Sequence, residues 1–276
     1  MDYPRFPDWL IYFAATGAIL VAAVSRQEHA NTPEAPPPPP GAERVPLGPS
    51  SPFDPVTVIR TGAHRGQPRG TAFAVGEGGL WLTARSQVQG CERLVLKVAE
   101  GRAVGARLQP GDDPSLAVLR TEGGPPVLIL APAHDLASGT RAFLIGFPRG
   151  APGEASAMLI ARHAMPRPYR DDAAVVAQVW AETGRTEAMK GDLPGLAGAP
   201  VLGADQRVIG VILRQDKARA RFWAAGPQQI AHVLEASGIR PTDAAAAEPI
   251  TVANYGRVGD DLRRSRQVAQ VLCLMG

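Results

Sequence analysis

The chain has 276 residues and a mass of 29.0 kDa, enough for one fully packed domain with extensions or for two small domains. Hydrophobic residues at 45% and charged residues at 20% exclude a disordered chain and a multi-span membrane protein. A net charge of +3 implies no strong nucleic-acid field, and two cysteines with five scattered histidines offer no metal site at coordinating spacing.

In chain order, residues 1–8 precede Trp9 to Val24, sixteen residues without a charge. As a helix this segment spans ~24 Å, slightly less than a ~30 Å hydrocarbon core. Two readings stand for it, a single-span anchor over 9–25 with residues 1–8 on the cytoplasmic side, or a cleaved signal segment. Arg5 is offset by Asp2 and Asp8, and no small-x-small cleavage site precedes Ser25 and Arg26, which favours the anchor. The linker follows over 26–52. Ten of the 24 residues from Thr32 to Pro55 are proline, so this segment is expected to be an extended, semi-rigid stalk.

The folded part is expected over 53–240, with 241–276 as linker and tail. Short β-branched or aromatic runs separated by Gly, Pro and Asp predict strands at Val56–Arg60, Thr71–Val75, Leu80–Ala84, Arg93–Val98, Ala103–Leu108 and Leu116–Thr121. Further strands are predicted at Val127–Ala131, Arg141–Gly146, Ser156–Arg162, Val175–Glu182, Val208–Leu213 and Arg221–Ala225. Tight turns with no intervening helices make this an all-β antiparallel barrel or sandwich. One helix closes it, with Pro227 at its start, Ile230, Val233 and Leu234 on one face and Gly238 at its end.

Four segments, in order, resemble the trypsin-like (chymotrypsin-fold) serine proteases, most closely their bacterial Htr-type periplasmic branch. Gly70 to Gly90, GTAFAVGEGGLWLTARSQVQG, is similar to that family's first hairpin and its LTNAHVV-x-G segment. Asp112 to Arg120, DDPSLAVLR, is similar to DP-x-x-DLAVL. Gly139 to Gly150, GTRAFLIGFPRG, and Leu193 to Ile212, LPGLAGAPVLGADQRVIGVI, resemble the IGNPFG strand and the NPGNSGGP segment of the second barrel. The resemblance implies two six-stranded antiparallel barrels, a peptide cleft between them and a C-terminal helix packed outside.

The family's chemistry needs a hydroxyl nucleophile, an imidazole base and an orienting carboxylate. The matched positions hold Ser86 for the base, Ser115 for the acid and Ala197 for the nucleophile, so all three roles are vacant. No serine between Glu182 and Ile212 replaces the nucleophile, and a one-residue shift that brought Asp113 to the acid position would rescue nothing. His64 and His163 fall away from the base position. The resemblance leaves an oxyanion-hole-like pair of backbone N–H groups at Gly195 and Ala197, in a cleft that either binds a peptide or chain terminus without cutting it or is closed.

The expectation is therefore a pseudoprotease, a membrane-anchored binding or scaffold module with an unknown protein or peptide partner, no cofactor, no metal and no nucleic acid. The alternatives are an active serine endopeptidase with unrecognised catalytic groups, or a regulator that pairs with an active relative. Cys91 and Cys273 suggest a disulfide closing a loop of ~180 residues, contributing ~3–5 kcal/mol in the chain-entropy model; two buried free thiols are the other reading. A disulfide implies an oxidising compartment, which places the domain in the periplasm of a bacterial inner-membrane protein.

Overall fold

The structure, a computed structural model, describes residues 59–60, 67–165, 175–186, 189, 191–216, 219–240 and 247–274. The expected anchor at 9–25 and the Pro-rich linker at 26–52 lie outside them. Among the described residues no helix is long and apolar enough to cross a membrane.

Thirteen strands are described, β1 (Ile59–Arg60), β2 (Gln67–Gly76), β3 (Leu80–Ala84), β4 (Arg93–Ala99), β5 (Arg102–Leu108), β6 (Leu116–Arg120), β7 (Arg141–Gly146), β8 (Gly153–Met165), β9 (Val175–Arg185), β10 (Pro200–Leu202), β11 (Val208–Asp216), β12 (Arg221–Ala225) and β13 (Val268–Leu274). Two helices, α1 (Pro227–Ala236) and α2 (Tyr255–Arg264), follow β12. The pairing order β5-β4-β13-β2-β3-β6, with β5 also bonded to β6, closes one six-stranded barrel, and β1 pairs with β5 outside it. The order β10-β11-β12-β9-β8-β7 closes the second. Every pairing between these strands is antiparallel, so the expected all-β architecture is the observed one.

The sequence pattern explains where the core sits. Strands β2 and β7 are apolar on both faces because each serves two cores. Ala72 and Ala74 pack inside the first barrel, whereas Phe73 and Val75 face the cluster shared between the barrels. Ala142 and Leu144 fill the second barrel, and Phe143 and Ile145 join the shared cluster. Helix α1 begins at Pro227, buries Ile230, Val233 and Leu234, and ends at Gly238 with φ +68°, as its sequence predicts. Burying those three side chains contributes about 1.5–3 kcal/mol each.

Two expectations are corrected, and one strand had not been predicted. Residues 241–276 are not merely linker and tail. Strand β13 inserts between β2 and β4, with Val268 opposite Phe73 and Val271 opposite Leu96, and supplies one of the six strands of the first barrel. Helix α2 before it buries Val258 and Leu262. Second, Val127–Ala131 forms no strand. It is the connector between barrels, and its backbone bonds to both: Leu128 N donates to Ala74 O and Ala131 N to Val208 O. Pro125, Pro126 and Pro132 around it cannot donate to a ladder. That strand is β10, which was too short to announce itself, because three residues give no periodicity.

Candidate functional site

The three positions matched to catalytic roles lie at the ends of β3, β6 and the turn before β10. Strand β3 runs into a 3-10 turn, Arg85–Gln87. Arg85 N donates to Ser115 O at 2.8 Å, which sets the second matched position directly beside this turn. The Arg85 guanidinium donates through Nε to Asp113 O and through Nη2 to Gly111 O at 2.9 Å. Ser86 is exposed, and its hydroxyl accepts from Gln87 Nε2 at 2.9 Å.

Ser115 is half-buried. Asp113, which a shift in register would bring toward the acid role, is engaged elsewhere. Its Oδ1 accepts from Ser115 N at 2.8 Å and Leu116 N at 2.7 Å, capping the turn that enters β6. Gln229 Nε2 on α1 donates to its Oδ2 at 3.2 Å. This carboxylate holds a turn and a helix in place.

Ala197 sits in the turn from Leu193 to Ala199, where Leu196 N donates to Leu193 O and Ala199 N to Leu196 O. Its carbonyl accepts from Thr71 N at 2.9 Å. Thr71, fully buried on β2, organises the whole turn. Its Oγ1 donates to Gly195 O at 2.8 Å and accepts from Phe147 N at 3.1 Å, and its carbonyl accepts from Thr83 Oγ1 at 2.7 Å. Gly198 has φ +85°, and a Cβ there would stand 2.0 Å from Thr71 O, so only glycine fits.

Gly70 brings the first and third positions together. A Cβ on it would lie 2.5 Å from Ala197 O and 2.7 Å from Gln87 Cγ. The turn bearing Ser86 and the turn bearing Ala197 therefore converge over one bare backbone site. Thr71, Gly70 and Gln87 were not singled out from the sequence. The only signal was that the pair Gly70-Thr71 opens the first resembling segment.

No hydroxyl–imidazole hydrogen bond exists among the described residues. His134 and His232 are exposed, on the interbarrel connector and on α1. His163 is placed in β8 opposite Ala177, while His29 and His64 lie outside the described residues. The turn does keep donors. Among the described residues nothing accepts from Gly195 N or Ala197 N, the pair expected to form an anion-binding corner. Cys91 and Cys273 form a disulfide with a Cα–Cα distance of 5.7 Å, as the sequence suggested, and it ties β13 to the loop before β4.

Comparison with known proteins fits this architecture. A model of the trypsin-like peptidase domain family matches residues 70–211. The chain is similar to the Rv3671c protease from M. tuberculosis in its active form, at 20% identity and a TM-score of 0.52, covering 65% of this chain and 77% of that one. It is also similar to the inactive form of the Rv3671c protease, at 18% identity and a TM-score of 0.50, covering 61% of this chain and 83% of that one. The HtrA-type protease AlgW with a decapeptide gives 18% identity and a TM-score of 0.50, covering 61% of this chain and 51% of that one. At these identities the likeness carries the fold alone. No curated protein sequence matches the chain.

Proposed function

The chain belongs to the trypsin-like peptidase domain family, and from that premise we propose that it is a non-catalytic member whose cleft holds a peptide or protein chain end without cutting it. The observation that carries this is the pairing of an empty chemistry with retained donors. Ala197 offers a methyl group where a nucleophilic oxygen would begin the reaction, Ser86 and Ser115 supply neither a base nor a carboxylate, and Gly195 N and Ala197 N have no described acceptor. Two backbone N–H groups of one short turn, neither with a described acceptor, suit a carboxylate, and charge-assisted hydrogen bonds of this kind contribute about 1.5–3 kcal/mol each. Loss of the nucleophile also removes any reason to retain a buried base and acid, whose unpaired burial costs several kcal/mol by order of magnitude.

The domain is tethered to a bacterial inner membrane through residues 9–25 and faces the periplasm. The sixteen-residue apolar run supports the tether, and the disulfide supports an oxidising compartment. The test uses the immobilised full chain and a pool of peptides with free C-terminal carboxylates, with the retained material read by mass spectrometry. Retained peptides are expected intact after prolonged incubation, and their C-terminally amidated counterparts are expected to bind about tenfold or more weakly. Cleaved products, or equal retention of acid and amide forms, would refute the reading.

A further inference from the structure

We propose that Gln270 is a positioning residue for the donor turn: from β13 it holds residues 147–150 in the shape that aims Gly195 N into the cleft. The strand reads VAQVLCL, and Gln270 is its one polar residue, only 3% exposed. A buried amide needs a partner, and an apolar side chain would serve packing alone better. Ala269 and Val271 turn into the first barrel. Gln270 therefore lies on the opposite face with Val268, which joins the cluster shared between the barrels. There its Nε2 donates to Gly150 O at 3.3 Å, across 120 residues of chain.

This bond belongs to a short network that ends at the turn. Gln270 stands directly opposite Thr71 on β2, so the two side chains share a face. Thr71 Oγ1 accepts from Phe147 N at 3.1 Å, and Gly150 N donates to Phe147 O at 3.0 Å. Residues 147–150 are thus held at one end by Thr71 and at the other by Gln270. Arg149 between them has φ +55°, a left-handed conformation that a residue with a side chain keeps only where its surroundings impose it.

That conformation matters because Arg149 N donates to Pro194 O. Pro194 O and Gly195 N belong to one peptide unit, and a planar trans peptide points its C=O and N–H in opposite directions. Anchoring the carbonyl on Arg149 therefore turns Gly195 N away from residues 147–150. Thr71 Oγ1, donating to Gly195 O at 2.8 Å, fixes the next peptide unit. Without the Gln270 amide, Arg149 relaxes out of the left-handed region, Pro194 O is released and the N–H rotates with it. The closing strand of the first barrel in this way governs a turn of the second. The ligand in this inference rests on the chain-end reading given above, whereas the coupling is read without one.

The test compares the full chain with Q270M, which keeps the size of the side chain and removes the donor. Amide hydrogen exchange, read by mass spectrometry, is expected to run about tenfold faster at Arg149, Gly150 and residues 193–199 in Q270M, with the ladder between β9 and β12 unchanged. The preference of the immobilised chain for peptides with free over amidated C-termini is expected to fall about fivefold or more. V268A, two residues away on the same face, is expected to lower the urea midpoint and leave both readouts as in the natural chain. If Q270M does not unfold cooperatively, Q270N takes its place, with an amide one methylene short of Gly150 O and the same expectations. Exchange at 147–150 and 193–199 equal to that of the natural chain would overturn the proposal, and so would faster exchange spread evenly over both barrels. A natural chain that does not distinguish acid from amide would refute the chain-end reading, and the exchange rates would still decide the coupling.

Discussion

In the proposed non-catalytic reading, the methyl group of Ala197 leaves nothing to deprotonate, and the reading is not confined to that atom. Ser86 has a hydroxyl where an imidazole is required, so A197S alone is expected to hydrolyse a chromogenic ester no faster than the natural chain. The combination of S86H, S115D and A197S is the smallest set expected to give a measurable rate. Gly70 is the residue on which the two turns close. A Cβ there would meet Ala197 O at 2.5 Å, so G70A is expected to cost about 1–3 kcal/mol, read as a lower urea midpoint. Ser86, Ser115 and Ala197 could be matched to the family's catalytic positions from sequence because each is flanked by short local patterns. Thr71 was not, because its bonds reach Gly195 and Phe147 across 124 and 76 residues and no local pattern encodes them. Asp113 was legible only as a carboxylate near the right place; its commitment to Ser115 N and Leu116 N required the turn geometry.

Among the elements, α2 is held by chemistry as much as by packing. Arg263 pairs with Glu154 on β8, both side chains nearly fully buried, and also with Asp260 at 2.7 Å. Gly259 makes room for this, since a Cβ there would lie 2.6 Å from Glu154 Oε1. Burial pushes the Glu154 carboxyl above its ordinary value of 4.5, and Arg263 pulls it back. A raised carboxyl favours the fold below that ordinary value, and this contribution is lost as pH rises through the folded value. Removing Arg263 raises the carboxyl further, so R263M is expected to lose more stability at pH 8 than at pH 4.5 relative to the natural chain. The magnitude at pH 8 is about 3–5 kcal/mol, because an unpaired charge is left buried. Denaturant midpoints at the two pH values check this, and an equal loss at both would contradict it. Strand β13 was misread as tail for a reason at this same scale. Six of its seven residues are apolar and announce burial, but their partners on β2 lie nearly the whole domain away in sequence. Helix α1, by contrast, was legible because its Pro start, apolar face and Gly end are all local.

For the molecule as a whole, the last residues of the described chain complete the first barrel, and the Cys91–Cys273 bond secures them across 182 residues. Reduction is expected to lower stability by about 2–5 kcal/mol, read as a lower denaturant midpoint in the presence of dithiothreitol. Truncation after Arg266 is expected to do more, because it opens the ladder between β2 and β4 and exposes Leu94, Leu96 and Phe73. Cooperative unfolding should then be lost. The all-β architecture was legible because a dozen short runs with Gly and Pro between them predict an antiparallel barrel or sandwich, and the pair of barrels followed from the resemblance to the trypsin-like proteases, whereas barrel closure by a distant strand was not legible. The functional reading depends on the site having no oxygen poised for attack, and intact-mass measurement of the full chain after exposure to a fluorophosphonate probe tests that most directly. The account predicts an unchanged mass, and a stoichiometric adduct on any serine or threonine would contradict it.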